Sequence, residues 1–241
     1  MAILLIGIDD TDNTQSRGTG FLARALAAQC ARAAHQRPRG VTRHQFLVDP
    51  RIPYTSHNSG ACVAVEGDGG AEAAAFAFDF VAARAAAGAD PAVCVAEAGA
   101  VPAAVMAFGR EATARVIEMA EALDLARRCG LALRPLGGSG LGVIGALASV
   151  GLRAEGNTGR FIDLPGLREL PARVSLEAIE RLGIRVEHPA GDRRPAAGDA
   201  YETLGWVRPR LVAGGPVLPV QWSGEHDAWV PVDRKTGKSH R

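Results

Sequence analysis

The chain begins with an apolar strand that runs directly into three carboxylates. Residues 6–8 are Ile-Gly-Ile, and Asp9, Asp10 and Asp12 follow around Thr11. A short apolar run of this kind is typical of a strand buried on both faces of a sheet. Acids crowded at the end of such a strand repel one another, and a divalent cation that takes carboxylate oxygens removes that cost. The pattern predicts a site for Mg²⁺ and phosphate, with Asp9, Asp10 and Asp12 as metal ligands.

A second interpretation of the same residues stays open. Asp12 or Thr14 can cap the helix that follows, with Asp9 and Asp10 solvated at a turn. The two interpretations differ in where the carboxylates lie. A metal site needs them beside a concave surface, whereas a simple turn leaves them pointing apart into solvent.

Composition limits the class of protein. Of the 241 residues, 47% are hydrophobic and 22% charged, which is typical of a globular protein with one large domain or two small ones. No apolar run is long enough to span a membrane, and the first strand turns acidic too early for a signal peptide, so we expect a cytoplasmic protein. The four cysteines are widely spaced without a Cys-x-x-Cys motif, which predicts core residues rather than disulfides or a zinc ribbon.

The distribution of lysine excludes two further classes of site. Of the 27 basic residues only Lys235 and Lys238 are lysines, which leaves 25 arginines. The body of the fold therefore has no lysine for a Walker A loop or for a Schiff base. Any phosphate must be held by arginine, backbone amides or a metal ion.

The first hundred residues predict the order βαββαβ. Strands are expected at residues 2–8, 41–48, 61–66 and 91–97, and helices at residues 21–34 and 71–87. This order is that of the ferredoxin-like motif, in which two helices cover one face of an antiparallel sheet. We predict an α+β protein with three parts: residues 1–98 as a ferredoxin-like domain with the nucleotide site, 99–188 as a second α/β domain, and 189–241 as a linker, a small β appendage and a basic tail.

The second half is predicted from weaker patterns. Helices are expected at residues 110–129 (broken in the middle), 143–150 and 176–182, and strands at residues 131–135, 160–164 and 184–188. Strands at 205–212 and 216–222 are expected to form a hairpin around Gly214-Gly215. The three tryptophans, Trp206, Trp222 and Trp229, are expected to pack this appendage.

A glycine-rich segment between a predicted strand and a predicted helix is a candidate phosphate cradle. Gly138, Ser139, Gly140 and Gly142 can present backbone amides to an anion near a helix N-terminus. The spacing does not match a dinucleotide-binding fingerprint. Simple reversal of the chain explains the glycines equally well.

The loop at residues 49–61 is dense in hydrogen-bonding side chains. Two prolines stiffen it, and Ser56, His57, Asn58 and Ser59 can all contact a polar ligand. A rigid connection that satisfies its own backbone is the alternative.

Taken together, these segments resemble the agmatinylcytidine synthetases, which modify the anticodon cytidine of an archaeal isoleucine tRNA. The similar segments lie between about residues 3 and 150, in the family's order: 6–12 with 18–23, Arg-Ile-Pro-Tyr at 51–54, Asn-Ser-Gly-Ala at 58–61, 90–93 and 138–148. The resemblance implies ATP-driven phosphorylation of a cytosine oxygen, which agmatine then displaces. It implies Mg²⁺ and triphosphate at Asp9, Asp10 and Asp12, with Thr11 beside them, and it matches Thr19 to a threonine implicated in the reaction.

The chain departs from the family at several positions. Thr-Ser-His-Asn-Ser at residues 55–59 stands where the family shows Lys-Thr-Arg-Gly-Asn, and Leu141 stands where it shows arginine. Gly18 and Gly20 replace the Cys and Thr that flank the family's threonine, and we expect Thr19 to cap a helix rather than carry phosphate. The resemblance does not extend to the family's oligonucleotide-binding barrel and zinc ribbon.

These observations lead to one expected function and two alternatives. We expect a Mg–ATP-dependent ligase or phosphotransferase that activates an oxygen of a small substrate, with amine addition as the follow-up step. The alternatives are a tRNA-modifying enzyme that acts with a partner chain, and a non-catalytic nucleotide- or metabolite-binding module. We expect a small-molecule partner rather than tRNA and no membrane association, and a homo-oligomer stays open.

Overall fold

The fold is one large mixed sheet with helices on both faces. The computed structural model describes residues 1–33, 36–55, 57–188, 193–196, 198–205 and 207–232. The strands are β1 Ala2–Asp9, β2 Arg37–Gln45, β3 Ser59–Gly67, β4 Ala92–Glu97, β5 Ala132–Pro135, β6 Arg160–Asp163, β7 Arg173–Ser175, β8 Arg185–Glu187, β9 Ala200–Glu202, β10 Arg210–Val212, β11 Gly215–Ser223 and β12 Ala228–Pro231. The helices are α1 Thr19–Ala33, α2 Gly70–Ala82, α3 Ala103–Ala112, α4 Met119–Arg128, α5 Gly142–Glu155 and α6 Leu176–Glu180. The predicted α+β class is confirmed.

The first strand lies at the centre of the N-terminal part of the sheet. The order there is β5-β4-β1-β3-β2, and every neighbouring pair is antiparallel. Ile6 pairs with Val63 on one side and with Val95 on the other. The predicted burial on both faces is confirmed, because the residues from Leu4 to Ile8 are all buried.

Two hydrophobic layers cover this strand. On one face, Ile6 and Ile8 pack with Leu26 of α1 and Phe78 of α2. On the other face, Leu5 packs with a cluster supplied by α3, α4 and α5. Alternating side chains point to opposite faces, so an unbroken apolar strand is needed to serve both layers.

Several predicted boundaries shift for local reasons. Helix α1 begins at Thr19, two residues before the predicted start, because the Asp12 carboxylate accepts the Thr19 amide. The predicted break in the helix at 110–129 is confirmed, and a capping box formed by Glu118 and Glu121 starts α4 after the break. Helix α3 begins earlier than predicted, at Ala103, directly after Pro102, a residue type common at helix starts.

The C-terminal strands extend the sheet beyond β2 in the order β6-β10-β11-β12-β9-β7. The predicted hairpin is confirmed by pairing of Val212 with Gly215, but its first strand starts only at Arg210. Strands β7, β9 and β12 were not predicted, since they have only three or four residues each. Trp229 is buried and packs edge-on against Trp222, whereas Trp206 lies outside the described residues.

The division into three domains stays a prediction. Strand β5 of the second predicted domain pairs with β4 of the first. Residues 189–192 and 197 of the predicted linker and the whole basic tail, residues 233–241, lie outside the described residues. All four cysteines are free thiols, and Cys30, Cys62 and Cys94 are buried, as predicted. Of the helices in the described part of the chain, none has the length and apolarity needed to cross a bilayer.

Candidate active site

Close packing of α5 on β1 places a helix N-terminus beside the acidic segment. A Cβ on Gly7 would lie 2.1 Å from the carbonyl oxygen of Ala146, so only glycine allows this helix to approach the strand. At the preceding residue of α5, a Cβ on Gly145 would lie 1.7 Å from Oδ2 of Asp9. The Asp9 carboxylate is therefore packed against the first turn of α5, rather than extended into solvent.

The electrostatics of this corner are unfavourable in the absence of a cation. Burial is the main cause that raises the pKa of Asp9 to about 7, and the neighbouring Asp10 and Asp12 charges add to the effect. Burial also raises the pKa of Asp10, helped by the charges of Asp90 and Asp12. Asp10 has a positive φ of 50°, which is uncommon for a residue with a side chain. This crowding favours the metal–phosphate interpretation of Asp9 and Asp10 over a solvated turn.

Asp12 has a different local role. Its Oδ1 accepts the backbone amide of Thr19 at 3.1 Å and the Thr19 hydroxyl at 2.8 Å. The Thr19 oxygen in turn accepts the Thr11 amide and the Thr11 hydroxyl, both at 3.2 Å. Asp12 thus caps α1, as the second interpretation proposed for it, and the hydroxyls of Thr11 and Thr19 are buried in one network.

This network predicts a structural cost for losing the Thr19 hydroxyl. Thr19→Val leaves the buried Thr11 amide without an acceptor, so we expect a loss of about 1–3 kcal/mol in the free energy of unfolding, measured by urea denaturation. Thr113→Val is the matched control, because its hydroxyl bonds the Arg110 carbonyl at an exposed position. If Thr19→Val is as stable as the control, the network does not hold the segment in place.

The glycine-rich segment is held by a carboxylate of the protein. The amide and the hydroxyl of Ser139 both donate to Asp90, each at 2.5 Å. Gly138 and Gly140 have positive φ angles of 61° and 84°, so they reverse the chain as the alternative interpretation proposed. Because Asp90 also acts on Asp10, the segment closes one side of the acidic corner.

A cleft of about 190 Å³ opens at this corner. It brings together four of the predicted site residues, namely Asp9, Asp10, Asn58 and Gly142. The Asn58 amide donates to the Leu47 carbonyl oxygen at 2.7 Å, which fixes its side chain at the cleft wall. Apolar residues from the α3–α4 connection complete the lining.

Two arginines also line the cleft. Arg51 forms a fork with Asp49, with both nitrogen–oxygen distances at 2.8 Å. Arg115 bonds Glu111 and Glu121, with its shortest contacts at 2.6 Å. These carboxylates fix both guanidinium groups at the mouth of the cleft. Arg51 stands in a segment that the sequence singled out, but no local pattern pointed to Arg115.

The remaining predicted residues face a neighbouring cavity or lie elsewhere. Asp12, Thr19, His57 and Ser59 line a second cavity of about 260 Å³. Ser56 lies outside the described residues, so its predicted role stays a prediction. The loop at residues 57–59 therefore separates two cavities. Because its polar residues are neighbours in the sequence, the sequence alone could not show that they face different cavities.

The cleft can hold Mg²⁺ only with help from a ligand. Within the described part of the chain, no group of three or more His, Cys, Asp or Glu side chains is arranged to hold a metal ion. Mg²⁺ commonly uses one or two carboxylates and completes its shell with water and substrate phosphates. Asp9 and Asp10 fit that requirement. Burial, helped by the neighbouring carboxylates, raises the pKa of both groups, and a bound cation would stabilise their charged forms.

Comparisons with known proteins support the fold. No protein-family model matches the sequence, and no curated protein matches it. A solved tRNA fluorescent labelling enzyme is 27% identical, with a TM-score of 0.55, over 62% of this chain and 36% of its own. TiaS in complex with an isoleucine tRNA and ATP is 26% identical, with a TM-score of 0.55, over 63% of this chain and 36% of its own.

A third structure, apo TiaS, a tRNA agmatidine synthetase, is 24% identical with a TM-score of 0.52 and supports the fold alone. The chain spans little more than a third of the length of these solved proteins. The predicted resemblance is therefore confirmed at the level of the fold. This chain has a TiaS-like fold over about 62% of its length.

Proposed function

We propose that this protein is a Mg–ATP-dependent enzyme that activates an oxygen of an acceptor molecule by phosphoryl transfer. The observation that carries the proposal is the packing of the Asp9 carboxylate against the first turn of α5, beside Asp10 in the same cleft. Similarity to TiaS, solved with ATP bound, supports ATP as the phosphoryl donor. The strand order β4-β1-β3-β2 supports a ferredoxin-like arrangement of this part.

The cleft suits the phosphate end of the nucleotide. A volume of about 190 Å³ is below the range of about 300–1,000 Å³ usual for complete small-molecule sites. It therefore fits phosphates and an ion, with the nucleoside extending outside. Asp9 and Asp10 would hold Mg²⁺, which when bound neutralises the charge of the phosphates. The N-terminus of α5 would supply positive potential. Arg51 and Arg115 would bind phosphate through guanidinium groups that they share with Asp49, Glu111 and Glu121.

The proposed reaction has two balanced steps. The acceptor oxygen forms a bond to the γ-phosphorus as the bond to the β–γ bridging oxygen breaks, which releases ADP. An amine then attacks the activated carbon, the carbon–oxygen bond breaks, and inorganic phosphate leaves with the former acceptor oxygen. The amine loses its proton to solvent. The products are ADP, phosphate and an aminated acceptor.

Calorimetric titration with ATP and Mg²⁺ tests the first requirement of this function. We expect binding at or below about 1 mM that depends on Mg²⁺, and slow release of ADP on incubation with an acceptor. Absence of heat at millimolar Mg–ATP would falsify the proposal. Binding without ADP release for any acceptor would instead favour a non-catalytic nucleotide-binding module.

The pH dependence of binding follows from the raised pKa of Asp9. A carboxyl group with a pKa of about 7 is largely protonated at pH 6, and a metal ion must displace that proton. We expect the affinity for preformed Mg–ATP to rise by about fivefold between pH 6 and pH 7, to reach about ten times its pH 6 value at pH 8, and to level off above that pH. Titrations near pH 6.5 in buffers of different ionisation enthalpy should show release of up to about one proton. Equal heats in all buffers would contradict protonation of the site.

An RNA acceptor is the second candidate, since a similar solved structure holds tRNA together with ATP. That similarity counts against the expected preference for a small molecule. A gel shift with total tRNA decides between them, because tRNA binding that weakens steeply with salt supports this candidate. If tRNA does not bind, or if its binding does not depend on salt, an RNA acceptor is excluded.

A further inference from the structure

Asp90 lies where three parts of the candidate site meet. It precedes Pro91 and strand β4, whose first residue, Ala92, pairs with Asp9. Gly142, the first residue of α5, packs on the same backbone, since its Cβ would lie 2.3 Å from the carbonyl oxygen of Asp90. Asp90 therefore connects the strand end that carries the candidate metal ligands with the start of the helix that covers them.

The Asp90 carboxylate binds the glycine-rich segment, residues 137–142, through two hydrogen bonds. Its Oδ1 accepts the backbone amide of Ser139, and its Oδ2 accepts the Ser139 hydroxyl, each at 2.5 Å. Gly138 has a φ of 61°, and a Cβ at this position would lie 1.6 Å from Oδ1 of Asp90. The segment is thus closed tightly around this carboxylate, and glycine is the residue type that allows the contact.

Asp90 also acts directly on Asp10, a candidate metal ligand. Burial is the largest cause of the raised pKa of Asp10, the Asp90 charge adds to it, and the Asp90 backbone amide opposes it. The backbone and the side chain of Asp90 therefore both lie close to the Asp10 carboxylate. Because Asp10 has a φ of 50°, which is uncommon for a residue with a side chain, neighbouring parts of the structure must hold it in place.

The segment that Asp90 holds forms part of the cleft wall. Leu141 and Gly142 line the cleft together with the candidate metal ligands. Residues 137–139 are exposed, so the two bonds to Asp90 take the place of the packing that fixes buried parts of the chain. The position of this wall relative to the metal ligands therefore depends on the Asp90 side chain.

We propose that Asp90 is a positioning residue that holds the glycine-rich segment against residues 9–12, so that the cleft is preformed for Mg–ATP. The identity of this ligand rests on the proposed function. Asp90 acts through the segment and through Asp10 rather than by contact with the nucleotide, because it does not line the cleft and both of its carboxylate oxygens are bonded to Ser139. A preformed site binds more tightly, since less order has to be imposed on binding.

Calorimetric titration with Mg–ATP tests this role. Asp90→Ala removes both bonds, and we expect it to weaken binding by about tenfold, because hydrogen bonds to a charged group are strong. Asp90→Asn should restore affinity to within about threefold of the wild type, because its amide group can still accept the Ser139 amide and donate to the Ser139 hydroxyl. Asp79→Ala is the matched control: it removes an exposed carboxylate on α2 and should bind as the wild type does.

Two further measurements follow the contact itself. Ser139→Ala removes one of the two bonds, so we expect Mg–ATP to bind about threefold more weakly. The double variant Asp90→Ala/Ser139→Ala should bind as Asp90→Ala does, because both changes act on the same contact. Without nucleotide, Asp90→Ala should speed amide hydrogen exchange at residues 137–145 and leave exchange in α2 unchanged.

Other results would overturn the proposal. If Asp90→Ala binds Mg–ATP as tightly as the wild type does, or if Asp79→Ala weakens binding equally, Asp90 does not position the cleft. If Asp90→Asn binds as weakly as Asp90→Ala, the charge acts on the ion and the hydrogen bonds do not matter. Unchanged hydrogen exchange in Asp90→Ala would show that Asp90 does not hold the segment. If the wild type itself does not bind Mg–ATP, the proposed function fails instead, and with it the role of Asp90 in binding.

Discussion

Asp9→Asn is expected to abolish Mg–ATP binding and at the same time to stabilise the protein. The wild-type carboxylate is buried near two other acids, which raises its pKa to about 7. An amide of the same shape fits the space beside Gly145 without carrying the charge. Since one pKa unit corresponds to about 1.4 kcal/mol, we expect a gain of up to about 4 kcal/mol in the free energy of unfolding at pH 8. The loss of binding should exceed about a hundredfold, because a metal ligand is removed.

The pH dependence of the free energy of unfolding gives a second test of this prediction. Between pH 4 and pH 7 the folded protein holds the Asp9 proton more tightly than the unfolded chain does, so the wild type loses stability as the pH rises through this range. Asp9→Asn should lose this slope, and the two proteins should converge in stability below about pH 4. Urea denaturation at several pH values measures this difference.

Asp68→Asn is the matched control for both measurements. Its carboxylate is exposed in a turn after β3, so neutralising it should leave Mg–ATP affinity unchanged. If Asp9→Asn binds Mg–ATP as tightly as the wild type does, the carboxylates at the end of β1 do not hold the ion. A pH slope that survives in Asp9→Asn would show that another group titrates.

Gly7→Ala is expected to cause a large loss of stability by adding a single methyl group. The added Cβ would lie 2.1 Å from the Ala146 carbonyl oxygen and 2.9 Å from Cγ2 of Val150. Both contacts involve atoms of a helix packed on the central strand, and neither element can move without disrupting this packing. We therefore expect the free energy of unfolding to fall by about 3 kcal/mol or more. For a chain of this size, Tm should fall by about 6–12 °C.

The same substitution should also disturb the candidate site. Moving α5 away from β1 shifts Gly142 and Gly145 relative to Asp9, so Mg–ATP affinity should fall together with stability. Gly99→Ala is the control, because its Cβ would meet nothing within 4 Å and its effect should stay within about 0.5 kcal/mol. If Gly7→Ala unfolds at the wild-type temperature, α5 does not pack on β1 as described.

The N-terminal half shows how much of the fold the pattern of residues could predict. Strong apolar strands and a long helix placed β1, α1, β3 and β4 within two residues of their observed bounds, because burial on both faces requires an unbroken apolar run. Helix α2 ends at Ala82, five residues before the predicted end. Short strands such as β9 could not be predicted, since three residues carry no period. Strand β2 shifted toward Arg37, because its pairing with β3, rather than its own apolar residues, sets its length.

The candidate site was also predictable from the sequence only in part. The acidic strand end and the polar loop were visible as runs of neighbouring residues, and so was the need for arginine in place of lysine. The partition of His57 and Ser59 from Asn58 between two cavities was not visible. The capping of α1 by Asp12 was one of two interpretations that the sequence left open, and the structure selects it. Local sequence shows which residues are neighbours along the chain, but not which side of the chain each one faces.

The sequence by itself determined a central strand buried on both faces, an acidic segment at its end, and a body of the chain without lysine. Only the tertiary structure decided that α5 lies against Gly7, that Arg115 reaches the cleft, and that arginines from β2, β6 and β10 meet in one row. The physical reason is the range of the interactions. Strand burial depends on each residue's own hydrophobicity, whereas helix docking and cross-strand pairing join residues about 50 to 140 positions apart in the chain.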